Sequence, residues 1–392
     1  MIKKIALIHP SMIVGGGSEA ITLWAAEALK EQYAISIISS VKIDLDQCND
    51  FYNTGLKQNE IRFVQVKPPF LLKNQRLFNA LRDYRLARYC KSRAYEYDLM
   101  FSTYNPMDFG IRGIQYISDP NFNEEMLRLL NPVPATWKKW FYKDSPLRKF
   151  YLFLGHILSK YTVKGMKKNM TLVDSHWAGE LASRHYGIKC RTVYPPVMGE
   201  FDPVPFQNRS NGFVCIGRIV RDKQLEQIIQ IIQKIRERIP DVHLHIIGKE
   251  SDRFYYQKIV TISKKHADFI HFDGVVSAER KTEILSHHKY GIHGKRNEPF
   301  GIAVAEMVKA GLIVWIPDGG GQVEIVNHDD LIYKTEEEAV AKIENVMESV
   351  DKQKMLLNYL EKQAGKFSSM TFMSEIKSTV KGFFEENENR AP

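Results

Sequence analysis

A chain of 392 residues exceeds one ordinary hydrophobic core and suits two domains of about 180 to 200 residues. Its 44% hydrophobic and 26% charged residues exclude a disordered or fibrous chain and describe a soluble globular one, and no apolar run approaches the ~20 residues of a membrane helix. The net charge of +9 is uneven, +11 over residues 1–197 and −2 over 198–392, with +7 in 67–93 and +7 in 121–170; a basic half suits nucleic acid, an anionic membrane surface or a phosphorylated substrate, and charge alone does not choose.

From the N-terminus, "KKIALIHP" predicts a short buried strand that ends at the glycine turn of "SMIVGGGSEA". No secretory signal is expected, since the charged start runs straight into that strand. "EAITLWAAEALKEQ" has apolar residues at helical spacing, and "YAISIISS" is a second strand, so the chain opens as a β-loop-α-β unit. "KIDLDQCND" reads as a polar loop whose Asp44 and Asp46 make a solvated acidic turn. The strands "YDLMFST", "RGIQYIS" and "MTLVDS" follow. After a Pro195-Pro196 hinge the pattern restarts: "NGFVCIGRI" a strand, "KQLEQIIQIIQKIRERI" an amphipathic helix, then strands at "VHLHIIGK", "DFIHFDGVV", "YGIHG", "GLIVWIPDG" and "DLIYK". A last helix runs from "SSMTFM" into a polar tail. The fold class is α/β, with two Rossmann-like doubly wound domains over 1–197 and 198–370 and a closing segment over 371–392. Two such domains are expected to face each other across a cleft at the carboxyl ends of their sheets. Cys48, Cys90, Cys190 and Cys215 are scattered without a CxxC pair, which suits thiols in a reducing, cytoplasmic compartment.

Three loops that follow strands carry the candidate chemistry. Gly15-Gly16-Gly17 precedes a helix, where a backbone without Cβ atoms comes close to a ligand and helix amides hold an anion; a tight structural turn is the alternative. Gly217 and Arg218 end a strand and Lys223 opens the next helix, a fork and a movable charge that can clamp a diphosphate or simply be solvated cations. In "GKRNEPFGIAVAEMVKAG" the amides of Phe300, Gly301 and Ile302 would start a helix and favour a phosphate. Glu306, deeper in that helix, could accept both hydroxyls of a ribose. Glu298, before the turn, could reach a sugar beyond the phosphates. The spacing thus orders ribose, diphosphate and sugar; the alternative is a loop acid on the helix dipole and a solvated helix face.

These motifs together, over nearly the whole chain, resemble glycosyltransferase family 4 of the GT-B fold. "IHPSMIVGGGSEAITLW", "TLVDSHWAGE…TVYPPV" and "GIHGKRNEPFGIAVAEMVKAG" are most similar to its mannosyltransferase branch, which extends lipid-linked glycans on the cytosolic side. The resemblance implies retaining transfer from a GDP- or UDP-sugar without a bound metal or other cofactor. It places the donor on the second domain and the acceptor on the first, and brings the final helix back onto the first. It gives Arg218 and Lys223 to the leaving diphosphate, Glu298 to the donor sugar and Glu306 to the ribose. Gly16 and Gly17 would reach the phosphate or sugar from across the cleft. Many members carry a histidine after a first-domain strand; the corresponding stretch here, "IQYISDP", offers Ser118 and Asp119 instead. His9, His176 and His293 stand near other strand ends and are read as structural or as substitutes.

The basic aromatic stretch 123–170, with Trp137, Trp140 and Phe141 among Lys138, Lys139 and Lys143, could lie peripherally on the anionic inner face of a membrane, or be a core-facing helix pair with a solvated basic face. A lipid-linked acceptor suits the membrane reading. A nucleic-acid module finds no recognition motif here, so no nucleic-acid partner is expected. A scaffold without catalysis would not need Arg218, Lys223, Glu298 and Glu306 intact.

Overall fold

The computed structural model describes residues 2–13, 15–67, 79–118, 120, 126, 130, 153, 155, 157 and 159–389. Asp119 lies outside the described residues, as does the basic aromatic stretch around Trp137–Lys149. Of the aromatics within 123–170, Phe153 and Tyr161 are described; Phe153 is exposed and Tyr161 half-buried.

The described residues divide into two compact units; Met126 and Leu130 group with the second, and the chain passes from the first to the second after Pro196 and returns to the first at Ser369. The first unit is built on a parallel sheet of seven strands in the order β3-β2-β1-β4-β5-β6-β7: β1 (Lys4–Ile8), β2 (Ala34–Ser39), β3 (Ile61–Gln65), β4 (Leu99–Ser102), β5 (Ile114–Ile117), β6 (Met170–Val173) and β7 (Cys190–Thr192). Its central strands bury nearly every side chain, as a parallel sheet covered on both faces requires. The second unit carries six parallel strands in the order β10-β9-β8-β11-β12-β13: β8 (Ser210–Ile216), β9 (His243–Ile247), β10 (Ile270–Gly274), β11 (His288–Ile292), β12 (Ile313–Pro317) and β13 (Ile332–Tyr333). In each sheet the first strand lies at the centre and the order reverses beside it, at β1/β4 and at β8/β11. That switch point is where an open α/β sheet leaves a crevice beyond its carboxyl ends. Both glycine-bearing loops, Gly15–Gly17 and Gly217–Arg218, follow these central strands.

"KIDLDQCND" is not a loop. Asp44 caps a helix over Leu45–Tyr52 by accepting the Gln47 amide at 3.1 Å. Leu45, Cys48 and Tyr52 are its buried positions, a helical spacing diluted by the acids and amides around them. Asp44 and Asp46 are thus a helix cap and a first-turn acid. The other helix start that differs is at Lys223. Arg221–Lys223 is a short 3₁₀ turn, Gln224 takes the left-handed conformation (φ 51°), and the helix begins at Leu225 and runs to Arg236. Its six buried residues are Leu225, Ile228, Ile229, Ile231, Ile232 and Ile235, one continuous apolar stripe.

The closing helix, Ser369–Glu388, buries Phe372, Ile376, Val380 and Phe383 and packs on the helix Ser18–Leu29 of the first unit. Arg112, just before β5, bonds Glu386 and Asn387, and Arg191, in β7, bonds Glu375, so the closing helix is also tied to the sheet. Cys48, Cys90 and Cys215 are buried free thiols, and Cys190 is a half-buried one. Among the described residues no helix is long and apolar enough to cross a membrane.

Candidate active site

In the second unit, β11 delivers His293 and the loop beyond it delivers Lys295 and Glu298. β8 and the 3₁₀ turn deliver Lys223 and Asp222. These five side chains form one cluster. Lys223 Nζ lies 2.8 Å from Glu298 Oε2, Lys295 Nζ lies 3.7 Å from the same oxygen and 3.2 Å from Asp222 Oδ2, and His293 Nε2 lies 3.5 Å from Glu298. Burial opposes the charge on Glu298, but Lys223 and Lys295, with His293, outweigh it and hold the carboxyl well below the usual carboxylate range. Burial and the Lys223 charge push the His293 pKa down, against the raising effect of the neighbouring Glu298, so its imidazole is neutral.

The loop that carries Glu298 is held by its backbone. Glu298 bridges Gly320 and its carbonyl accepts the Gly321 amide at 2.8 Å. Gln322, fully buried, donates Nε2–H to the Lys295 carbonyl at 2.8 Å. Phe300, 3% exposed, packs its ring edge on Phe367 at 5.5 Å. Gly301 then turns the chain at φ 103°, a conformation L side chains avoid, into the helix Ile302–Lys309. No side chain caps this helix, whereas Asp252, Ser277, Thr335 and Ser349 cap others in the same unit. Uncapped amides at a helix start are an anion site.

Glu306 is 8% exposed and points its carboxylate at Lys281, Nζ to Oε1 3.1 Å. Arg218 is exposed and makes no ion pair among the described residues. The sequence-predicted Arg218, Lys223, Glu298, Phe300, Gly301, Ile302 and Glu306 all belong to this unit. Lys223 and Glu298 meet directly; Glu306 meets Lys281, which sequence reasoning missed, as it missed Lys295, Asp222 and Gln322.

In the first unit the glycine loop is pinned by Tyr52. Its hydroxyl accepts the Gly15 amide at 3.1 Å and donates to the Gly16 carbonyl at 2.8 Å. A Cβ on Gly16 would stand 2.5 Å from Glu19 Oε2, and burial raises the Glu19 pKa. A carboxyl packed against Gly16 opposes a phosphate there and suits a hydroxyl. His9, just after β1, is 2% exposed; burial lowers its pKa to about 3, so it is neutral. Nδ1 accepts from the Ser11 amide at 3.2 Å, which leaves the proton on Nε2, and Nε2 has no partner among the described residues. His176 begins the helix His176–Tyr186, its Nδ1 3.1 Å from the Thr192 hydroxyl. The Ser118 hydroxyl donates to the Tyr104 carbonyl at 3.2 Å.

Residues 200–363 match the family model described as "Glycosyl transferases group 1". The chain carries a group 1 glycosyltransferase domain. A GDP-Man:Man(3)GlcNAc(2)-PP-Dol alpha-1,2-mannosyltransferase of Dictyostelium discoideum is 22% identical over 433 residues, covering 96% of this chain and 84% of the relative. The human enzyme of that name is 21% identical, covering 97% and 87%. The matched domain is a glycosyltransferase domain, and both relatives are mannosyltransferases by name. Among solved structures, HepE of Anabaena, in complex with UDP and glucose, superposes with a TM-score of 0.67 at 14% identity over 97% of this chain and 99% of that one. WaaG, a glycosyltransferase of lipopolysaccharide biosynthesis, superposes with a TM-score of 0.68 at 12% identity over 95% and 98%. The fold of the glycosyltransferase is GT-B.

Proposed function

We propose that this glycosyltransferase moves mannose from GDP-mannose to a lipid-linked glycan, with retention of configuration and without a catalytic metal. The observation that carries the reading is the cluster in which Glu298 is clamped by Lys223 and Lys295 beside an uncapped helix start. The donor diphosphate sits on the amides of Phe300, Gly301 and Ile302, with Arg218 and Lys223 on its oxygens. Its ribose hydroxyls bond Glu306, and its hexose meets Glu298. As the bond from the anomeric carbon to the phosphate oxygen breaks, the diphosphate gains negative charge, which these cations and amides already face. The acceptor hydroxyl attacks the same face and passes its proton to the departing phosphate. A Glu298 held in ion pairs is a poor covalent nucleophile, which favours this route over a glycosyl-enzyme intermediate. In the first unit, Gly16, Gly17 and Ser118 meet sugar hydroxyls, as does Asp119.

Mannose and a lipid-linked acceptor rest on the mannosyltransferase relatives, whose names state both. Such an acceptor would bring the enzyme to a membrane surface. A donor screen tests the reading: GDP-mannose should be slowly hydrolysed and should raise the Tm more than UDP-glucose or UDP-N-acetylglucosamine. Preference for a UDP-sugar would overturn the mannose assignment, and proton NMR of the product's anomeric signal reports retention or inversion. Activity should persist in EDTA; complete loss in chelator, restored by Mn²⁺ or Mg²⁺, would refute a metal-independent mechanism.

Glu306→Ala should weaken binding of the nucleoside diphosphate about tenfold or more, because a charge-assisted hydrogen bond contributes roughly 1.5–3 kcal/mol. Calorimetric titration with GDP checks it, and unchanged affinity would remove Glu306 from the ribose.

A further inference from the structure

At the opposite end of the second sheet from the donor site, four imidazoles crowd together. His243 and His245 are the first and third residues of β9, so both project from one face of the sheet. His288 begins β11. β8 lies between those strands, and opposite His243 it carries Gly212. A Cβ on Gly212 would stand 2.2 Å from the His288 ring and 2.4 Å from the His243 ring. The glycine therefore lets the two rings meet over the intervening strand. One ring nitrogen each of His243, His245 and His288 lie within 4.8 Å of one another. His271, on β10, stacks on His245 at 4.6 Å.

The hydrogen bonds fix the tautomers. His288 Nδ1 lies 2.5 Å from the Ile284 carbonyl and His243 Nδ1 3.2 Å from the Asp241 carbonyl. A carbonyl only accepts, so each Nδ1 carries the proton. His245 Nδ1 lies 2.9 Å from Asp273 Oδ2, which likewise draws the proton to that side. Each neutral ring is left with a bare Nε2. Yet His243 Nε2 and His288 Nε2 stand 3.1 Å apart, lone pair toward lone pair, a contact that a shared metal cation would relieve.

We propose that His243, His245 and His288 bind a divalent transition-metal ion of the zinc type through Nε2, with Asp273 and the Asp241 and Ile284 carbonyls orienting the rings and water in a fourth position. Three imidazoles with outer acceptors on Nδ1 and water in the fourth position are one of zinc's established donor sets. Tetrahedral ligation at ~2.0–2.1 Å spaces the nitrogens about 3.3 Å apart. The His243–His288 pair is already near that value. The ion ties β9 to β11 over β8 and is structural. The five residues of β11 separate His288 from the donor loop by roughly 16 Å, so the site lies outside the transfer chemistry.

The test uses the full chain, stripped with EDTA and exchanged into metal-free buffer. Zn²⁺ titrated against a chromogenic chelator should bind one ion per chain with submicromolar Kd and raise the Tm, and Co²⁺ should give the intense visible bands of a four-coordinate site. His243→Gln, at a half-exposed ring, should abolish both signals. Asp273→Asn, which removes no ligand, should weaken binding about 10- to 100-fold. No stoichiometric ion, or one held equally by wild type and both variants, overturns the proposal. GDP-mannose hydrolysis by the variants is expected to be unchanged, which separates this result from the donor assignment.

Discussion

Lys223→Gln is expected to lower kcat for transfer by about 10²–10³, the cost of losing one preorganised group aimed at developing charge. Lys223 is 13% exposed and sits 2.8 Å from Glu298, so its ammonium is placed before the donor arrives. The diphosphate carries less charge in the ground state than when the glycosidic bond is broken. The loss should therefore fall on kcat more than on KM. Steady-state transfer from GDP-mannose, with calorimetric GDP binding alongside, measures the split. A variant with raised KM and wild-type kcat would mean that Lys223 holds the donor without assisting departure.

Glu298→Gln is expected to cost both activity and stability. The glutamine keeps the shape but leaves Lys223 and Lys295 facing each other, with only Asp222 to balance Lys295. Breaking a buried ion pair from one side costs roughly 3–5 kcal/mol; Glu298 is 19% exposed, which moves the expectation to the lower end. Transfer should fall by about 10²-fold or more, since the variant loses a donor contact and the group that orients Lys223. Urea unfolding at neutral pH separates the two losses: a folded variant with wild-type turnover would take Glu298 out of the reaction. The pH dependence has a definite sign. The Glu298 pKa is lowered in the folded protein, so its contribution is fully present above the unfolded value of about 4.3. It is lost as pH falls through the lower folded value, because the unfolded chain takes up the proton first. Glu298→Gln should therefore destabilise at neutral pH and converge on wild type in strong acid.

The strands at the centre of both sheets were legible because buried parallel strands are nearly continuous apolar runs. β3 and β7 were not, and they are the two edges of the first sheet: "IRFVQ" and "CRT" mix polar with apolar residues because one side is open. The helix Leu45–Tyr52 was hidden by its charges, although Asp44 before buried positions 45, 48 and 52 was a readable cap and spacing. Missing it also hid Tyr52, which pins the glycine loop. At the candidate site, Glu298, Gly301 and Glu306 follow from one local spacing. Lys281 is 25 residues from its partner Glu306, and no sequence rule joins them. The signal for the histidine cluster was present in "VHLHIIG", where alternate residues of a strand share a face. Its third member and the permissive Gly212 come from other strands, which only the sheet order brings together.

The return of the chain to the first unit at Ser369 sets an order of events during synthesis. The stretch Val197–Ser368 holds every strand of the second sheet and can close as soon as it clears the ribosome. The first sheet is complete in sequence by Thr192, yet the helix Ser18–Leu29 waits for Phe372, Ile376, Val380 and Phe383 to cover it. Its apolar surface stays open through the making of about half the chain, and a nascent protein stalled before residue 369 would present that surface to chaperones.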